Sequence, residues 1–390
     1  MPTPATMAAS NDLNAALLGA LRGVVDPELG ADIVELGMVR DVTVDGRTAT
    51  VSVALTMAGC PLRDHLRRDI EGSILATDLV DTVRVEMSAM TAEQRSALMN
   101  NARRLAQDRA TPTAVPTRTR VIGVVSGKGG VGKSTVSVNL AVALASGGLT
   151  VGLLDADIWG FSVPRMLGIT AELGATDGRI IPIERAYGSG VLRVVSMGFL
   201  SGEDDAVMWR GLMLNRAVQH FLEDVEWGDL DYLVVDMPPG TGDVQMGLAR
   251  MLPRAELLVI TTPALAAQKV AGRAADMARR GHLRILGVIE NMAGFTGADG
   301  QQVEIFGVGG GRRLAHEIGA PLLGSIPIDP SVAVGGDEGS PVAAAPSTPM
   351  GVVFATLAQR LQAELTPLGD IDTCTARLEA AVAPFSPHSR

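Results

Sequence analysis

Residues 126–135 read SGKGGVGKST and follow the apolar run VIGVVSG. From Gly127 to Thr135 the stretch fits the pattern G-x-x-x-x-G-K-[ST], and an Ala- and Leu-rich helical segment comes after it. In such a loop the glycines let backbone N–H groups curl round an anion, and the helix N-terminus adds its dipole. The candidate nucleotide-binding residues are therefore Gly127, Lys128, Gly129, Gly130, Val131, Gly132, Lys133, Ser134 and Thr135.

The motif assigns roles to two of these side chains and leaves a third without one. Lys133 is expected to contact the β- and γ-phosphates of ATP, and the Ser134 hydroxyl to complete the shell of a Mg²⁺ ion. One lysine is enough to hold a nucleotide. The second lysine, Lys128, therefore needs a different explanation.

Aspartates that follow two apolar runs supply what hydrolysis requires. Asp236 ends the run VVD, and Asp155 and Asp157 close LLDAD. Because ligands of parallel sheets gather at the carboxyl ends of the strands, Asp155 and Asp236 are candidate Mg²⁺ ligands with Ser134, and Asp157 is a candidate to orient the attacking water. Taken alone, each aspartate also fits a helix cap or a solvated turn.

Six short apolar runs point to the fold class of residues 119–365. They end in Gly, Asp or Pro, and helical patterns separate most of them, which is typical of a doubly wound, mostly parallel α/β sheet. The helix MGVVFATLAQRLQAEL is expected to dock on this domain, and residues 366–390 are expected to form a flexible tail. The runs are VIGVVSG, VGLLDAD, LDYLVVDMPPG, ELLVITTPA, ILGVIENM and LLGSIPID.

A small α+β domain is predicted over residues 10–90. A helix over 12–22 is followed by two alternating runs that meet at Asp45-Gly46, a dipeptide suited to a tight hairpin, and then by a second helix and a strand near 83–87. Cys60 is placed at the N-terminus of the second helix, where the dipole favours thiolate; a small buried cysteine fits equally well. Residues 91–118 are interpreted as a helix and a Pro/Thr-rich linker.

Composition narrows the class of protein. The 390 residues carry a net charge of −10, which argues against nucleic acid as a partner. Every long apolar run is broken before it reaches spanning length, so no membrane partner and a cytoplasmic location are expected. The chain has two cysteines, Cys60 and Cys374, which excludes a disulfide framework.

The pair Lys128 and Lys133 resembles the deviant phosphate loop K-G-G-x-G-K-[ST] of the MinD/ParA/nitrogenase-iron-protein class. The resemblance implies a homodimer in which the first lysine crosses to the partner's nucleotide, so catalytic roles are expected for Lys128, Lys133 and Asp157. A cation delivered in this way stabilises the transferring phosphoryl group as an arginine finger does.

Longer stretches resemble the Mrp/ApbC family of iron–sulfur cluster carrier ATPases, and VVDPELGADIVELGMVRDVTVDG with LTMAGCP resembles the iron–sulfur assembly domain often fused in front of it. The resemblance implies that Asn291 contacts the adenine edge with help from the Pro327–Asp329 backbone, and that the partners are apo iron–sulfur client or scaffold proteins. The stretches are WRGLMLNRAVQHFLEDVEWGDLDYLVVDMPPGTGD, VIENMAGF, FGVGGGRRLA and LLGSIPIDP.

One feature departs from that family. Its members usually carry a C-x-x-C pair after the E-N-M segment, where this chain reads AGFTGADGQQVEIFG without cysteine. Since iron–sulfur clusters select thiolates, the usual bridging site is absent. Either Cys60 supplies thiolates, or the protein acts in assembly without holding a cluster. The alternative function is a MinD/ParA-like positioning ATPase on a membrane or DNA surface.

Overall fold

The structure is a computed structural model that describes residues 4–364 apart from 28, 57–62, 109–111, 158–159, 200–210, 241–242, 282, 298 and 300. The chain divides into two compact units, residues 1–110 and 111–390. Each unit has its own hydrophobic core. Cys60, Cys374 and the tail from residue 366 lie outside the described residues.

The first unit is a small α+β domain built on a three-stranded sheet in the order β3-β4-β5. β3 and β4 form the antiparallel hairpin predicted at Asp45-Gly46, and Gly46 there has a φ of +62°. β4 pairs in parallel with β5. The elements are α1 (Pro4–Leu21), β1 (Val25–Asp26), β2 (Ala31–Asp32), β3 (Val39–Asp45), β4 (Thr48–Leu55), α2 (Arg63–Leu75), β5 (Thr82–Ala89) and α3 (Ala92–Asp108).

Helix α3 packs into the core of the first unit, whereas its sequence was interpreted together with the linker, over residues 91–118. Leu98 and Ala102, one helical turn apart, are buried there. The rest of the helix is polar, and this narrow apolar stripe is easily missed in the sequence. Beyond the helix, Ala114 N donates to Leu222 O, and Val115 is buried in the second unit.

The second unit alternates strands with helices from residue 120 onward. Two short 3-10 turns, Met197–Phe199 and Val342–Ala344, interrupt the series. The other elements are β6 (Arg120–Ser126), α4 (Lys133–Ser146), β7 (Thr150–Asp155), α5 (Val163–Met166), β8 (Gly174–Thr176), β9 (Arg179–Ile181), β10 (Ile183–Tyr187), β11 (Gly190–Ser196), α6 (Gly211–Glu223), β12 (Tyr232–Asp236), α7 (Asp243–Met251), β13 (Glu256–Thr261), α8 (Leu265–Arg280), β14 (Arg284–Thr296), β15 (Gln302–Val303), α9 (Gly310–Ile318), β16 (Leu322–Ile328), α10 (Pro330–Asp337) and α11 (Pro349–Glu364).

The main sheet has seven parallel strands in the order β11-β7-β12-β6-β13-β14-β16, with β10 and β15 added antiparallel at β11 and β14. Side chains of β6 alternate between the two faces: Val121 and Val125 join one buried cluster, and Ile122 and Val124 join the other. Helices α6 to α9 cover the first face, and α4, α5 and α11 cover the second. The predicted doubly wound fold is confirmed.

The predicted strands and the last helix of the second unit are present in the structure. All six apolar runs form strands of the parallel sheet, and α11 docks as expected through buried Phe354, Leu357 and Leu361. The hairpins β8–β9 and β10–β11 were not predicted. Within the part of the chain that the structure describes, no helix has both the length and the apolar character needed to span a membrane.

Candidate nucleotide-binding site

The phosphate loop connects the central strand β6 to α4 at the carboxyl edge of the sheet. Gly130 and Gly132 both have a φ of +78°, which favours glycine, and Gly132 caps the N-terminus of α4. Gly127 is required by space, because a Cβ there would lie 2.1 Å from the backbone carbon of Val270 on α8. The loop glycines thus serve two purposes, backbone curvature and close approach to α8.

A cavity of about 420 Å³ opens above this loop. Its walls come from the loop, from the segment after β7 and from the end of β12. The lining residues are Ser126, Lys128, Gly129, Gly130, Gly132, Lys133, Ser134, Thr135, Asp157, Gly160, Ser162, Met166 and Pro239. Most of the loop residues predicted to bind nucleotide therefore border one cavity.

Lys133 is buried and held by a carboxylate. Its Nζ lies 2.8 Å from Asp236 Oδ1 and 3.8 Å from Asp157 Oδ2, with Ser134 Oγ at 3.3 Å. Ser137, one turn further along α4, donates to the same Asp236 oxygen at 2.7 Å. The ammonium is thereby fixed at the base of the loop, where a phosphate would meet it.

Asp155 is fully buried at the end of β7 and tied to three groups. Ser196 Oγ and Val163 N donate to its Oδ2 at 2.9 and 3.3 Å, and Asp157 N donates to its Oδ1 at 3.2 Å. Burial, and then the nearby charge of Asp236, raises the pKa of Asp155 to about 7. The site thus holds an excess of carboxylates over cations.

This charge set fits a Mg²⁺ ion shared with phosphates. Asp236 Oδ2 is buried and has no hydrogen-bond partner, so it is available to a ligand in the site. Among the described residues no three His, Cys, Asp or Glu side chains gather as a metal cage, but Mg²⁺ needs only one or two carboxylates beside water and phosphate oxygens. Ser134, Asp155 and Asp236 remain the predicted holders, and a bound ion would supply neutralising charge.

Lys128 lies in a different environment from Lys133. It is exposed at the mouth of the cavity, and its side chain makes no ion pair within the described part of the chain. Its backbone is fixed, because Ser126 Oγ donates to the Lys128 carbonyl at 3.0 Å. A firmly anchored backbone with a free ammonium suits a side chain that reaches outward.

The three residues expected near the base are not lining residues of the cavity. Asn291 is buried beside the loop, and its Nδ2 donates to Val131 O at 2.9 Å. Asp329 caps α10 by accepting from Ser331 N at 2.8 Å, and Pro327 precedes it at the end of β16. Contact of Asn291, Pro327 and Asp329 with an adenine stays a prediction.

Ser137 and Ser196 orient the two buried aspartates and were not predicted as site residues. The signal for Ser137 was available, because it stands four residues after Lys133 on the same face of a predicted helix. Ser196 carried no such signal. It lies 41 residues from Asp155 on the unpredicted strand β11.

The fold and the site define a P-loop nucleotide-binding protein. Residues 117–362 match the family described as NUBPL iron-transfer P-loop NTPase, and residues 14–87 match the family described as iron-sulfur cluster assembly protein. The chain belongs to the iron-transfer P-loop NTPase family. The family resemblance and the fold class inferred from the sequence are confirmed.

Similar proteins cover nearly the whole chain. An iron-sulfur cluster carrier protein of Mycobacterium tuberculosis (strain ATCC 25618 / H37Rv) is 45% identical over 360 residues, 90% of this chain and 93% of the relative. The one of Bacillus subtilis (strain 168) is 37% identical, over 90% and 97% of the two chains. A nucleotide-binding protein from Archaeoglobus fulgidus, solved in complex with ADP, is 32% identical with a TM-score of 0.51 and covers 60% of this chain and 91% of its own.

Proposed function

We propose that this chain is an ATP-hydrolysing iron–sulfur cluster carrier that acts as a cytoplasmic homodimer and whose nucleotide state controls transfer to client proteins. Its family and the names of its relatives support the carrier role. The ADP complex of the Archaeoglobus fulgidus protein supports nucleotide binding at the loop. The relatives' names give no support to the alternative of a positioning ATPase on a membrane or DNA surface.

The contrast between the two loop lysines carries the proposal. Lys133 is buried and paired within its own subunit, which supports a role in holding the nucleotide. Lys128 is exposed and its backbone is held by Ser126, which supports a role in reaching a nucleotide outside its own subunit. A trans-acting cation makes hydrolysis depend on dimer formation.

In the proposed reaction, a water oxygen attacks the γ-phosphorus while the bond from that phosphorus to the β,γ-bridging oxygen breaks, which yields ADP and phosphate. Lys133 binds the β- and γ-phosphates, and Asp157, at the cavity wall, orients the water. The Lys128 ammonium of a second copy stabilises the charge that develops on the phosphoryl oxygens.

The iron–sulfur cluster is cargo in this scheme, and thiolates must hold it during transfer. Residues 112–364 contain no cysteine, and the chain has only Cys60 and Cys374. Cys60 lies within the iron-sulfur cluster assembly match over 14–87. We therefore assign transient cluster contact to Cys60.

A subunit-mixing experiment tests the trans role of Lys128. Lys128→Ala and Lys133→Ala are each expected to hydrolyse ATP at least about 100-fold more slowly than the wild type. An equal mixture restores one complete site in each heterodimer, because one subunit supplies Lys133 and the other Lys128. With random pairing of subunits, the mixture should recover about one quarter of the wild-type rate.

Two results would contradict the proposal. A mixture no faster than the two single variants places Lys128 in its own subunit's site. A wild-type rate per subunit that does not depend on concentration while the protein is monomeric shows that hydrolysis does not need a dimer. Binding of fluorescent ADP should survive in Lys128→Ala, and this control separates loss of catalysis from loss of nucleotide.

A further inference from the structure

The outer sides of α8 and α9 concentrate positive charge in an acidic protein. The two helices contain six basic and two acidic residues, whereas the whole chain has 33 basic and 43 acidic residues. We define the basic face as the exposed lysine and arginine side chains of α8 and α9 that the structure describes. Its members are Lys269, Arg273, Arg279, Arg312 and Arg313.

Contacts near both ends hold α8 and α9 side by side. Arg313 Nε donates to Gln268 Oε1 at 3.4 Å near the start of the two helices, and Arg279 Nη2 donates to Ile318 O at 3.0 Å near their ends. The buried residues of both helices join the same core cluster. Since packed helices lie about 8–10 Å apart, their exposed cations border one continuous surface.

Three cations of the basic face have no internal partner. Within the part of the chain that the structure describes, the side chains of Lys269, Arg273 and Arg312 make neither an ion pair nor a hydrogen bond. The acidic residue of α8, Asp276, is paired with Arg279 at 2.9 Å. Lys269 and Arg273 stand four residues apart on α8, a spacing at which like charges destabilise a helix. An anionic partner would relieve this repulsion.

Lys269 stands beside the contact between α8 and the phosphate loop. The chain has three lysines, and the other two, Lys128 and Lys133, belong to the loop itself. A Cβ on Gly127 of the loop would lie 2.1 Å from the backbone carbon of Val270, the residue that follows Lys269. A partner held at Lys269 therefore touches the helix that packs against the nucleotide site.

We propose that the basic face binds an acidic segment of a client protein. The inference rests on the proposed carrier function and adds the chemistry of the partner, which is a run of closely spaced aspartate and glutamate side chains. Carboxylates of such a segment pair with the three free cations and remove the repulsion between Lys269 and Arg273. Complementary charge also steers the client to this side of an otherwise acidic protein.

Nucleic acid fits the same face less well. α8 and α9 contain no Phe, Tyr or Trp on which a base could stack, and Asp276 and Glu317 stand among the cations. The net charge of −10 opposes a long polyanion that extends beyond the basic face, whereas a short acidic segment contacts only the face itself.

Fluorescently labelled hexaglutamate is the probe for the test. The full-length protein is first saturated with Mg²⁺ and ADP, so that the phosphate loop does not capture the anionic peptide. Anisotropy at low ionic strength should show at least about tenfold weaker binding by Lys269→Glu/Arg273→Glu than by the wild type. Arg40→Glu/Arg84→Glu changes the net charge equally at two exposed positions of the first unit and should bind like the wild type.

Carbodiimide coupling then locates the bound peptide. The reagent activates a peptide carboxylate, which forms an amide with a nearby lysine amine and releases the reagent as a urea. Lys133 is buried, so Lys128 and Lys269 are the exposed lysines of the chain. Peptide mapping by mass spectrometry should find the adduct at Lys269, and Lys128 serves as the control within the same molecule.

Several results would overturn the inference. They are failure of the wild type to bind hexaglutamate, equal affinities of the wild type and Lys269→Glu/Arg273→Glu, equal weakening in the two double variants, and coupling at Lys128 alone. Tighter binding of an oligothymidylate of equal charge would assign the face to nucleic acid. Loss of self-association in Lys269→Glu/Arg273→Glu, measured by sedimentation velocity, would assign it to a second copy of this chain.

The proposed function is judged separately. The subunit-mixing experiment uses no client, so recovery of hydrolysis there together with failure here would leave the ATP-dependent dimer in place. Lys269→Glu/Arg273→Glu should bind fluorescent ADP and hydrolyse ATP like the wild type, because both side chains are exposed outside the nucleotide cavity.

Discussion

Replacing Asp155 by asparagine should stabilise the Mg²⁺- and nucleotide-free protein, and the gain should grow with pH. Asp155 is fully buried near Asp236, and its pKa of about 7 lies well above the ordinary 3.8. The unfolded chain releases this proton near pH 4 and the folded chain near pH 7. The folded state is therefore penalised progressively as the pH rises between these two values, and the penalty is constant above them.

The size of the effect follows from the two pKa values. A tenfold change in proton affinity is worth about 1.4 kcal/mol, so the raised pKa of Asp155 costs the folded state about 4.4 kcal/mol at pH 8.5 and about 2.9 kcal/mol at pH 6. The substituted asparagine would have one oxygen where the aspartate has two, and a lost acceptor costs about 1–3 kcal/mol. The expected net gain at pH 8.5 is therefore about 1–3 kcal/mol.

Comparing the stabilisation by Asp155→Asn at two pH values cancels the cost of the lost hydrogen-bond acceptor, because that cost does not depend on pH. The advantage of Asp155→Asn should be about 1.5 kcal/mol larger at pH 8.5 than at pH 6. The lower pH is set at 6 because the sequence pI is near 5.1, and a protein close to its pI tends to associate. Asp177→Asn, on an exposed turn, controls for the loss of one negative charge.

Urea unfolding in EDTA, followed by tryptophan fluorescence, measures these free energies. Trp159, Trp209 and Trp227 all belong to the second unit, so the signal follows the unit that contains Asp155. A pH-independent difference between Asp155→Asn and the wild type would refute the reasoning. It would mean that Asp155 is already ionised in the folded state throughout this range, as it is in the unfolded chain, so its charge is compensated.

Two further changes give outcomes that can be checked directly. Gly127→Ala should destabilise the second unit by about 3 kcal/mol or more in urea unfolding, because the new Cβ would lie 2.1 Å from the α8 backbone. Gly129→Ala is the control: a Cβ there meets no atom within 4 Å, so the free energy of unfolding should change by less than about 0.5 kcal/mol. Equal stabilities would show that α8 does not fix the loop. Anaerobic reconstitution with iron and sulfide, followed by visible absorption and metal analysis, should give a cluster in the wild type and none in Cys60→Ala; uptake by both, or by neither, removes Cys60 as the ligand.

The parallel sheet was predictable because each of six strands can be recognised from a few consecutive residues. Six strands are apolar runs of a few residues that end at Gly, Asp or Pro, and burial on both faces imposes that composition. β11 has a buried position beside β7, yet its sequence is interrupted by Arg193. The structure accommodates this guanidinium by hydrogen bonds to Trp227 O at 2.6 Å and to Glu184 Oε1 at 2.8 Å. A strand whose charge is paired by distant residues does not look apolar in the sequence.

The phosphate loop and the three aspartates were predictable for the same reason, since a spacing rule and a strand end identify them. The packing around them was not. The partners of Asp236 and Asp155 lie 99 and 41 residues away in the chain, at Ser137 and Ser196. Only the strand order brings these groups together, and the spacing of residues in the sequence does not contain that order.

In the nucleotide-free site, the arrangement of charged side chains favours ligand binding and opposes folding. Asp155, Asp157 and Asp236 are buried around one ammonium, that of Lys133, which lies 2.8 Å from Asp236. Burial of a carboxylate and repulsion from a neighbouring one both oppose folding, and the raised pKa of Asp155 reflects these two causes in that order. A divalent cation that arrives with the nucleotide offsets this excess of carboxylates. We therefore expect Mg²⁺ and nucleotide to bind more tightly together than either does alone.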